Sequence, residues 1–115
     1  MSVEALVVAH LKAVLDVPVS ASVPKDRPAR FVTVERTGGP QTQFLDNPQF
    51  AIQAWDTSVS NAADLADEVR RALPGMLNIP QVAKVDIGST YNYPDPDSRQ
   101  ARYQTTCELA VKIEY

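Results

Sequence analysis

Apolar residues near the start of the chain recur with helical spacing. Within SVEALVVAHLKAVLD they fall at Val3, Leu6, Val7, Leu11, Val14 and Leu15. Spacings of three and four residues are typical of an amphipathic helix that packs on a core. Ser2 is a suitable N-cap, and Pro18 disfavours helical backbone at Val17. We therefore predict a first helix that is capped by Ser2 and ends near Asp16.

Three segments with alternating apolar residues follow this helix. They are VSASV at residues 19–23, RFVTVERT at residues 30–37 and FAIQAWDT at residues 50–57. Alternation predicts strands, because successive side chains of a strand point to opposite faces of a sheet. In the third segment it places Phe50, Ile52 and Ala54 on one face, with Gln53 and Trp55 on the other.

A second helical pattern lies in SNAADLADEVRRAL, residues 60–73. Its apolar stripe consists of Ala62, Leu65, Ala66, Val69, Ala72 and Leu73. We predict that Ser60 caps this helix and that Pro74-Gly75 ends it, since proline and glycine commonly follow helix C-termini.

The last part of the chain predicts a hairpin. If Tyr93 faces Arg99 across the turn PDPDS, then Val85 lies opposite Cys107, Ile87 opposite Thr105 and Tyr91 opposite Ala101. This register gives one inward face, with Val85, Ile87, Tyr91, Tyr93, Tyr103, Cys107, Leu109, Val111, Ile113 and Tyr115. The face predicted to lie in water carries Lys84, Asp86, Asn92, Arg102, Gln104, Glu108, Lys112 and Glu114.

The final strand, residues 101–115, is long for a chain of 115 residues. Fully extended, it spans roughly 50 Å at about 3.3 Å per residue. A compact domain of this size has a diameter of roughly 35 Å. The hairpin must therefore overhang or bend. Because an unsupported hairpin is marginally stable in water, we predict that its tip, residues 91–102, rests on a neighbouring subunit.

The predicted elements have the order αβββαββ. Five mostly antiparallel strands and two helices indicate an α+β two-layer sandwich with a long C-terminal hairpin. The length predicts one domain, residues 1–115.

Composition and charge exclude several classes of function. The net charge is −3 and the pI is about 5.0, whereas sequence-independent DNA binding needs many Lys and Arg contacts to phosphate. Cys107 is the single cysteine and cannot form a disulfide within the chain. MSVEALVV lacks the basic leader of a signal peptide, and no apolar run approaches the roughly 20 residues that cross a bilayer. We expect a soluble cytosolic protein without a membrane segment.

No group of residues predicts catalysis, a metal site or a cofactor site. His10 has no companion ligand and Cys107 has no evident activating base, so structural roles are favoured for both. Gly38-Gly39-Pro40 lacks the helix and the Lys-Ser/Thr pair of a phosphate-binding loop, so we predict a turn. Asp95 and Asp97 are predicted turn formers. We therefore predict a protein that is not an enzyme.

Two features leave alternatives open. Trp55 ends its strand, where it is either the edge of the core or an anchor in an interface. The loop PKDRPAR, residues 24–30, is either solvated or in contact with another subunit or partner.

Three segments resemble one family when they are taken together. RFVTVERTGG, AIQAWDTSVSNAADLADEVRRAL and DPDSRQARYQTTCELAVK resemble the small tail terminator (tail completion) proteins of long-tailed bacteriophages, especially those of actinobacteriophages. The shared features are a strand ending in Arg36-x-Gly38-Gly39, an aromatic residue before an Ala-rich helix, and a Tyr/Asp/Pro hairpin before an Arg-bearing strand. The likeness covers residues 19–113.

The resemblance implies a structural virion protein at the neck, the top of the tail, that assembles in the host cytoplasm. Its family members form a homohexameric ring that caps the tube of major tail tube protein and ends its polymerisation. They also present a surface to the head-proximal connector or stopper protein. DNA passes through the lumen without specific binding, and an acidic chain agrees with this because like charge weakens attachment to phosphates. The resemblance carries over no catalytic residue.

The predicted contact surfaces are the hairpin tip, the loop at residues 24–30, Trp55 and the glycine turn. Their residues are Lys25, Arg27, Arg30, Gly38, Gly39, Trp55, Tyr91, Tyr93, Asp95, Asp97, Arg99 and Arg102. The alternatives are a neighbouring connector or stopper protein, a small α+β oligomeric enzyme and a ligand-binding domain. A tautomerase-like enzyme is disfavoured because Ser2 stands where those enzymes expose a proline.

Overall fold

The computed structural model of the protein describes residues 2–113. Within this range it contains two α-helices, one 3-10 helix and six strands. In chain order these are α1 Val3–Val14, β1 Val19–Ser20, β2 Phe31–Gly38, β3 Leu45–Asp46, β4 Gln49–Asp56, α2 Val59–Ala72, the 3-10 helix Leu73–Asn78, β5 Val82–Asn92 and β6 Ala101–Lys112. No helix in the described range has the length and apolar character needed to cross a membrane.

The strands form one mixed sheet. β2 lies between β1 and β4, β4 pairs with β6, and β5 pairs with the other side of β6. The pair β1–β2 is parallel, and the other pairs are antiparallel. The predicted α+β class is confirmed, and the order αβββαββ agrees except for β3. This short strand continues the line of β4 along β6, and Pro48 separates the two because proline cannot donate to a ladder.

The first helix follows its prediction closely. The Ser2 hydroxyl accepts a hydrogen bond from the backbone N–H of Ala5 at 3.1 Å, so it is the N-cap. Leu15 is already extended, and its N–H closes the helix onto the Leu11 carbonyl at 2.8 Å. The helix therefore ends at Val14, two residues before the predicted end near Asp16.

The second helix begins earlier than predicted. Ser58, and not Ser60, is its N-cap, because the Ser58 hydroxyl accepts from the N–H of Asn61 at 3.1 Å. The helix ends at Ala72, and the 3-10 helix continues it through Pro74.

The strand predicted at residues 19–23 is much shorter in the structure. It contains only Val19 and Ser20. The Ser20 hydroxyl donates to the carbonyl of Ser22 at 2.6 Å, which turns the chain away from β2. Short polar side chains compete in this way with ladder hydrogen bonds.

The predicted hairpin register is wrong by two residues near its base. Val85 pairs with Leu109, and Ile87 pairs with Cys107. A shift of two residues keeps side chains on the predicted face, so Val85 and Ile87 still point toward the core.

Nearer the tip, a β-bulge at Gly88 and Ser89 also moves the residues that follow it to the other face of the sheet. The register shifts between Ile87 and Thr90, and Tyr91 then pairs with Gln104 instead of Ala101. An odd shift moves the following side chains to the other side of the sheet. Tyr91 and Tyr93 therefore do not share the core face with Ile87, which corrects the prediction.

The core lies between the two helices and one face of the sheet. Its largest fully buried members include Val7, Leu11, Val32, Val34, Phe50, Ile52, Leu65, Val69, Leu73, Met76 and Leu109. The predicted alternation of β4 is confirmed, since Phe50, Ile52 and Ala54 lie in this core. Each large side chain buried in this way stabilises the fold by about 1.5–3 kcal/mol.

The hairpin gives the molecule its elongated shape. The principal extents are 43 × 26 × 24 Å, and a strand as long as β6 spans roughly 40 Å. The predictions for Glu114 and Tyr115 lie outside the described residues. The prediction that the tip rests on a neighbouring subunit stays a prediction.

Candidate functional site

Both helices cover the same face of the sheet, and we call the other one the open face. It carries Phe31, Thr33, Glu35, Ala51, Gln53, Trp55, Tyr91, Tyr93, Arg102, Gln104 and Thr106. None of these residues belongs to the core under the helices. The open face is therefore a separate surface with its own polar and aromatic contacts.

The middle of the open face is a buried polar network centred on Gln53. Its side-chain oxygen accepts from the Thr33 hydroxyl at 2.7 Å, and its nitrogen donates to the side-chain oxygen of Gln104 at 2.8 Å. The Gln104 nitrogen donates to the Tyr91 hydroxyl at 2.5 Å. Gln104 was predicted to lie in water, but it is buried because its cross-strand neighbours satisfy its amide.

Beside this network lies a group that we call the Trp55 cluster, made of Arg27, Phe31, Trp55, Tyr93 and Arg102. The rings of Phe31 and Trp55 stack with centroids 5.3 Å apart and an interplanar angle of 9°. The Arg27 and Arg102 guanidinium carbons lie 5.2 and 4.8 Å from the indole centroid. Cation–π attraction therefore holds two basic side chains over one ring. Trp55 is only 3% exposed as a result.

Arg102 joins the cluster to the hairpin tip. Its guanidinium carbon lies 4.6 Å from the centroid of the Tyr93 ring, and its Nε donates to the Tyr93 carbonyl at 2.7 Å. Its Nη2 reaches the Pro94 carbonyl at 3.5 Å. Tyr91 contacts Tyr93 edge to face, with centroids 5.9 Å apart. The two tyrosines remain 38% and 46% exposed, so aromatic surface is available at the tip.

Asp95 organises the turn at the tip, as the sequence predicted for a turn former. Its carboxylate accepts from the Ser98 hydroxyl at 2.5 Å and from the N–H of Asp97 at 3.3 Å. The Ser98 hydrogen bond is the main reason that the pKa of Asp95 is lowered. Arg99 adopts φ +61°, and its N–H reaches the Asp95 carbonyl at 3.3 Å, which closes the turn.

The tip also contacts the loop at residues 24–30 of its own chain. The Gln100 side-chain nitrogen donates to the Ala29 carbonyl at 3.1 Å and reaches that of Pro28 at 3.4 Å. Arg27 lies 3.5 Å from the Gln100 oxygen and 3.9 Å from the Asp95 carboxylate. The loop and the tip therefore form one surface around a cleft of about 410 Å³ next to Trp55.

Other residues predicted for the contact surface lie elsewhere. Gly38 is the last residue of β2 and Gly39 follows it. Phe31, at the other end of β2, pairs with Trp55, a separation of roughly 23 Å along the strand. Gly39 has φ +105°, and a Cβ there would lie 2.0 Å from the Asn47 carbonyl oxygen. This glycine is therefore required by the close approach of two backbone segments.

Two of the predicted basic residues also lie away from the cluster. The Arg30 side chain bridges Asp56, at 3.2 Å, and Glu68 on α2, so it ties the loop to the helix. Lys25 is exposed on the loop. The structure thus brings together Arg27, Trp55, Tyr91, Tyr93, Asp95 and Arg102.

Several polar contacts were not found from the sequence. Arg36 forms two hydrogen bonds to the Asp46 carboxylate, at 2.8 and 3.0 Å, and these raise the pKa of Arg36. Arg70 donates to the Gly88 carbonyl at 2.8 Å and so holds the bulge of β5 against α2. Each pair joins two different elements, and no local sequence pattern signals either pair.

His10 and Cys107 have the structural roles that were favoured. The His10 Nε2 lies 2.7 Å from the Ala72 carbonyl, where it can donate to the end of α2. Cys107 is buried, and burial raises its pKa to about 11, so the reactive thiolate is strongly disfavoured. Among residues 2–113, no three His, Cys, Asp or Glu side chains are grouped to hold a metal.

No family model matches the chain, and no curated protein matches it in sequence.

Proposed function

We propose that the protein is a structural component of a long-tailed bacteriophage, a tail terminator that caps the tail tube as a ring. In this role it ends polymerisation of the tube and presents a surface to the head connector. The proposal rests on the resemblance of the three sequence segments to that family. A connector or stopper protein of the same neck is the second candidate, because it belongs to the same class of small phage joining proteins.

One observation supports an assembly role most directly. The hairpin tip, at one end of β5 and β6, holds Tyr91, Tyr93 and Arg102 in contact with one another, and the two tyrosines are 38% and 46% exposed. Tyrosine and arginine are enriched among the residues that dominate binding energy in protein interfaces. A closed ring needs one patch that binds a different patch on the next subunit. The tip surface has the composition of such a patch, and contacts within the chain hold its side chains in place.

The decisive experiment is deletion of the gene from its source phage, followed by electron microscopy of the lysate. A tail terminator predicts overlong tubes beside separate, DNA-filled heads. Tails of normal length beside leaking or unjoined heads would instead assign the protein to the connector side and would refute a role in length control.

A point variant tests the tip itself. We expect Arg102→Glu to leave a folded monomer, measured by circular dichroism, but to lower the yield of infectious particles when it complements the deletion. Arg71→Glu on the exposed side of α2 is the control with the same change of charge. A normal yield from Arg102→Glu would remove this residue from the contact surface.

A further inference from the structure

Two carboxylates lie directly opposite each other on the open face. Asp86 of β5 is the cross-strand partner of Glu108 of β6, and both side chains are exposed. Like charges at opposite positions of an antiparallel pair repel each other. The Lys84 amine lies 2.9 Å from the Asp86 carboxylate, whereas no described residue forms a hydrogen bond or an ion pair with the Glu108 side chain. The pair therefore keeps an unbalanced negative charge.

These two acids border a depression of about 340 Å³ in the open face. Small residues, at Ala51, Gly88 and Thr106, leave this space open. Glu35, on the far side of Ala51, adds a third exposed carboxylate nearby. Among residues 2–113, no lysine or arginine lines the depression. A depression with acids at its rim and no basic group inside suits the end of a long cationic side chain.

The hairpin tip carries an arginine whose side chain has no partner in the described part of the chain. Arg99 is exposed, and no described residue forms a hydrogen bond or an ion pair with its guanidinium. Its backbone is nevertheless held, because its N–H reaches the Asp95 carbonyl and closes the turn. The guanidinium groups of Arg27 and Arg102 already lie over Trp55. Arg99 is therefore the basic group that the tip offers to a neighbour.

We infer that Arg99 of one copy binds between Asp86 and Glu108 of a second copy, so that the hairpin tip of the first lies on the open face of the second. A chain cannot make this contact with itself, because roughly 23 Å of β6 separates Glu108 from the tip. The two surfaces are complementary in charge, since an arginine without a partner meets an acidic pair that lacks a cation. Asp97, the exposed carboxylate of the tip, is matched in charge by Lys84 next to the depression.

The contact joins two different surfaces, the tip of one copy and the open face of the next. A heterologous contact of this kind continues from copy to copy and can close a ring. An exposed ion pair alone contributes little to binding. Tyr91 and Tyr93 supply exposed aromatic surface on the same tip and can add apolar contact beside the ion pair. The inference deepens the proposed function, on which its ring form rests.

Cross-linking between two cysteine variants tests this contact. Asp97→Cys is prepared on one chain, and Gln49→Cys, at an exposed position that lines the depression, on another. Cys107 is 4% exposed, so it adds no accessible thiol. After a short bismaleimide is added to the concentrated mixture, we expect about tenfold more cross-linked dimer than from either variant alone, because binding raises the effective concentration of the two thiols. A mixture of Asp97→Cys with Arg71→Cys, on the exposed side of α2, is the control.

Exchange of the charges identifies the ion pair itself. In the Asp97→Cys chain, Arg99→Glu should lower the yield of mixed dimer about tenfold relative to Arg99→Lys, because like charges then face each other. Glu108→Arg in the Gln49→Cys chain should restore the yield with Arg99→Glu and lower it with the unchanged Arg99. Equal yields from all of these combinations would overturn the inference. The absence of any mixed dimer would overturn it as well, and it is the result expected if another protein covers the open face.

A chain that carries both Asp97→Cys and Gln49→Cys reports the symmetry of the contact. We expect a ladder of cross-linked oligomers, since a head-to-tail contact leaves one free surface at each end until a ring closes. A product that stops at the dimer would mean a two-fold contact and would overturn the head-to-tail arrangement. None of these yields depends on tube length, which the deletion phenotype reports separately. Failure of the contact is therefore distinguishable from failure of the proposed function.

Discussion

Replacing Arg102 with alanine removes the side chain that joins the hairpin tip to the open face. The change deletes cation–π contacts to Trp55 and Tyr93 and the hydrogen bond from Nε to the Tyr93 carbonyl. It leaves the core under the helices intact, because none of these groups belongs to it. We therefore expect a folded protein with lower stability and a more exposed indole ring.

The expected magnitude follows from the contacts that are lost. Two cation–π contacts at a half-buried position contribute about 0.5–1 kcal/mol each, and a partly solvated hydrogen bond contributes about 1 kcal/mol. The rotamer freedom that is regained on removing an ordered arginine offsets about 1 kcal/mol. The net loss is about 1–2 kcal/mol, which lowers Tm by about 4–8 °C for a domain of this size.

Two measurements follow this change independently. Thermal unfolding followed by circular dichroism gives the stability. The fluorescence emission of Trp55, the only tryptophan, reports how far its indole ring is shielded from water. We expect a red shift of the emission in Arg102→Ala. Arg71→Ala is the control, since it removes an equal charge from the exposed side of α2. Arg102→Lys keeps the charge but loses the planar guanidinium, so an intermediate Tm is expected.

The reasoning would be refuted by a simple result. If Arg102→Ala and Arg71→Ala have the same Tm within about 1 °C and the Trp55 emission does not move, Arg102 does not hold the tip. The tip would then depend on its turn, on the contacts of Gln100 and on those of the Tyr91 hydroxyl and Arg27.

Three further predictions concern the two glycines at the end of β2, the stability at low pH and the buried thiol. Gly39→Ala should destabilise by more than about 2 kcal/mol in urea unfolding, because its Cβ would collide with the Asn47 carbonyl oxygen. Gly38→Ala should cost less, because its Cβ meets open space and only the positive φ of +146° opposes it. Equal losses would contradict this reasoning. The lowered pKa of Asp95 favours the folded state above its unfolded value of about 3.9, so stability should fall as pH drops below that value. Asp95→Asn should reduce this loss of stability at low pH, whereas Asp97→Asn should not. An unchanged loss in Asp95→Asn would contradict the role of the Asp95 carboxylate. With a pKa of about 11, Cys107 should react with a thiol reagent at pH 8 only as fast as the chain unfolds, and rapid labelling of the native protein would contradict its burial.

The helices and the main strands could be predicted because their signals are local. Spacing of apolar residues identifies one face of a helix or strand wherever the chain later packs. The cap of α2 could not be fixed in the same way, since Ser58 and Ser60 are both suitable and the position of β4 decides between them. β1 ended early because the hydroxyl of Ser20 competes with the ladder.

The hairpin and the Trp55 cluster depend on contacts that a sequence pattern does not contain. Gly88 inside a strand is a known sign of a bulge, and this sign was not used in the predicted register. Without the bulge, Tyr91 and Tyr93 were assigned to the core face. Arg27 and Arg102 converge on Trp55 only after β2, β4 and β6 have paired, so their meeting is a consequence of topology.

The contacts within the chain constrain how the tip can bind a neighbour. Trp55 is nearly inaccessible, so it can anchor a partner only if Arg27 or Arg102 first moves away. Tyr91 and Tyr93 are accessible and already ordered, which means that a partner does not incur the roughly 0.5–1.5 kcal/mol needed to immobilise each flexible side chain. A partner can therefore bind at the two tyrosines with little loss of side-chain freedom at the tip.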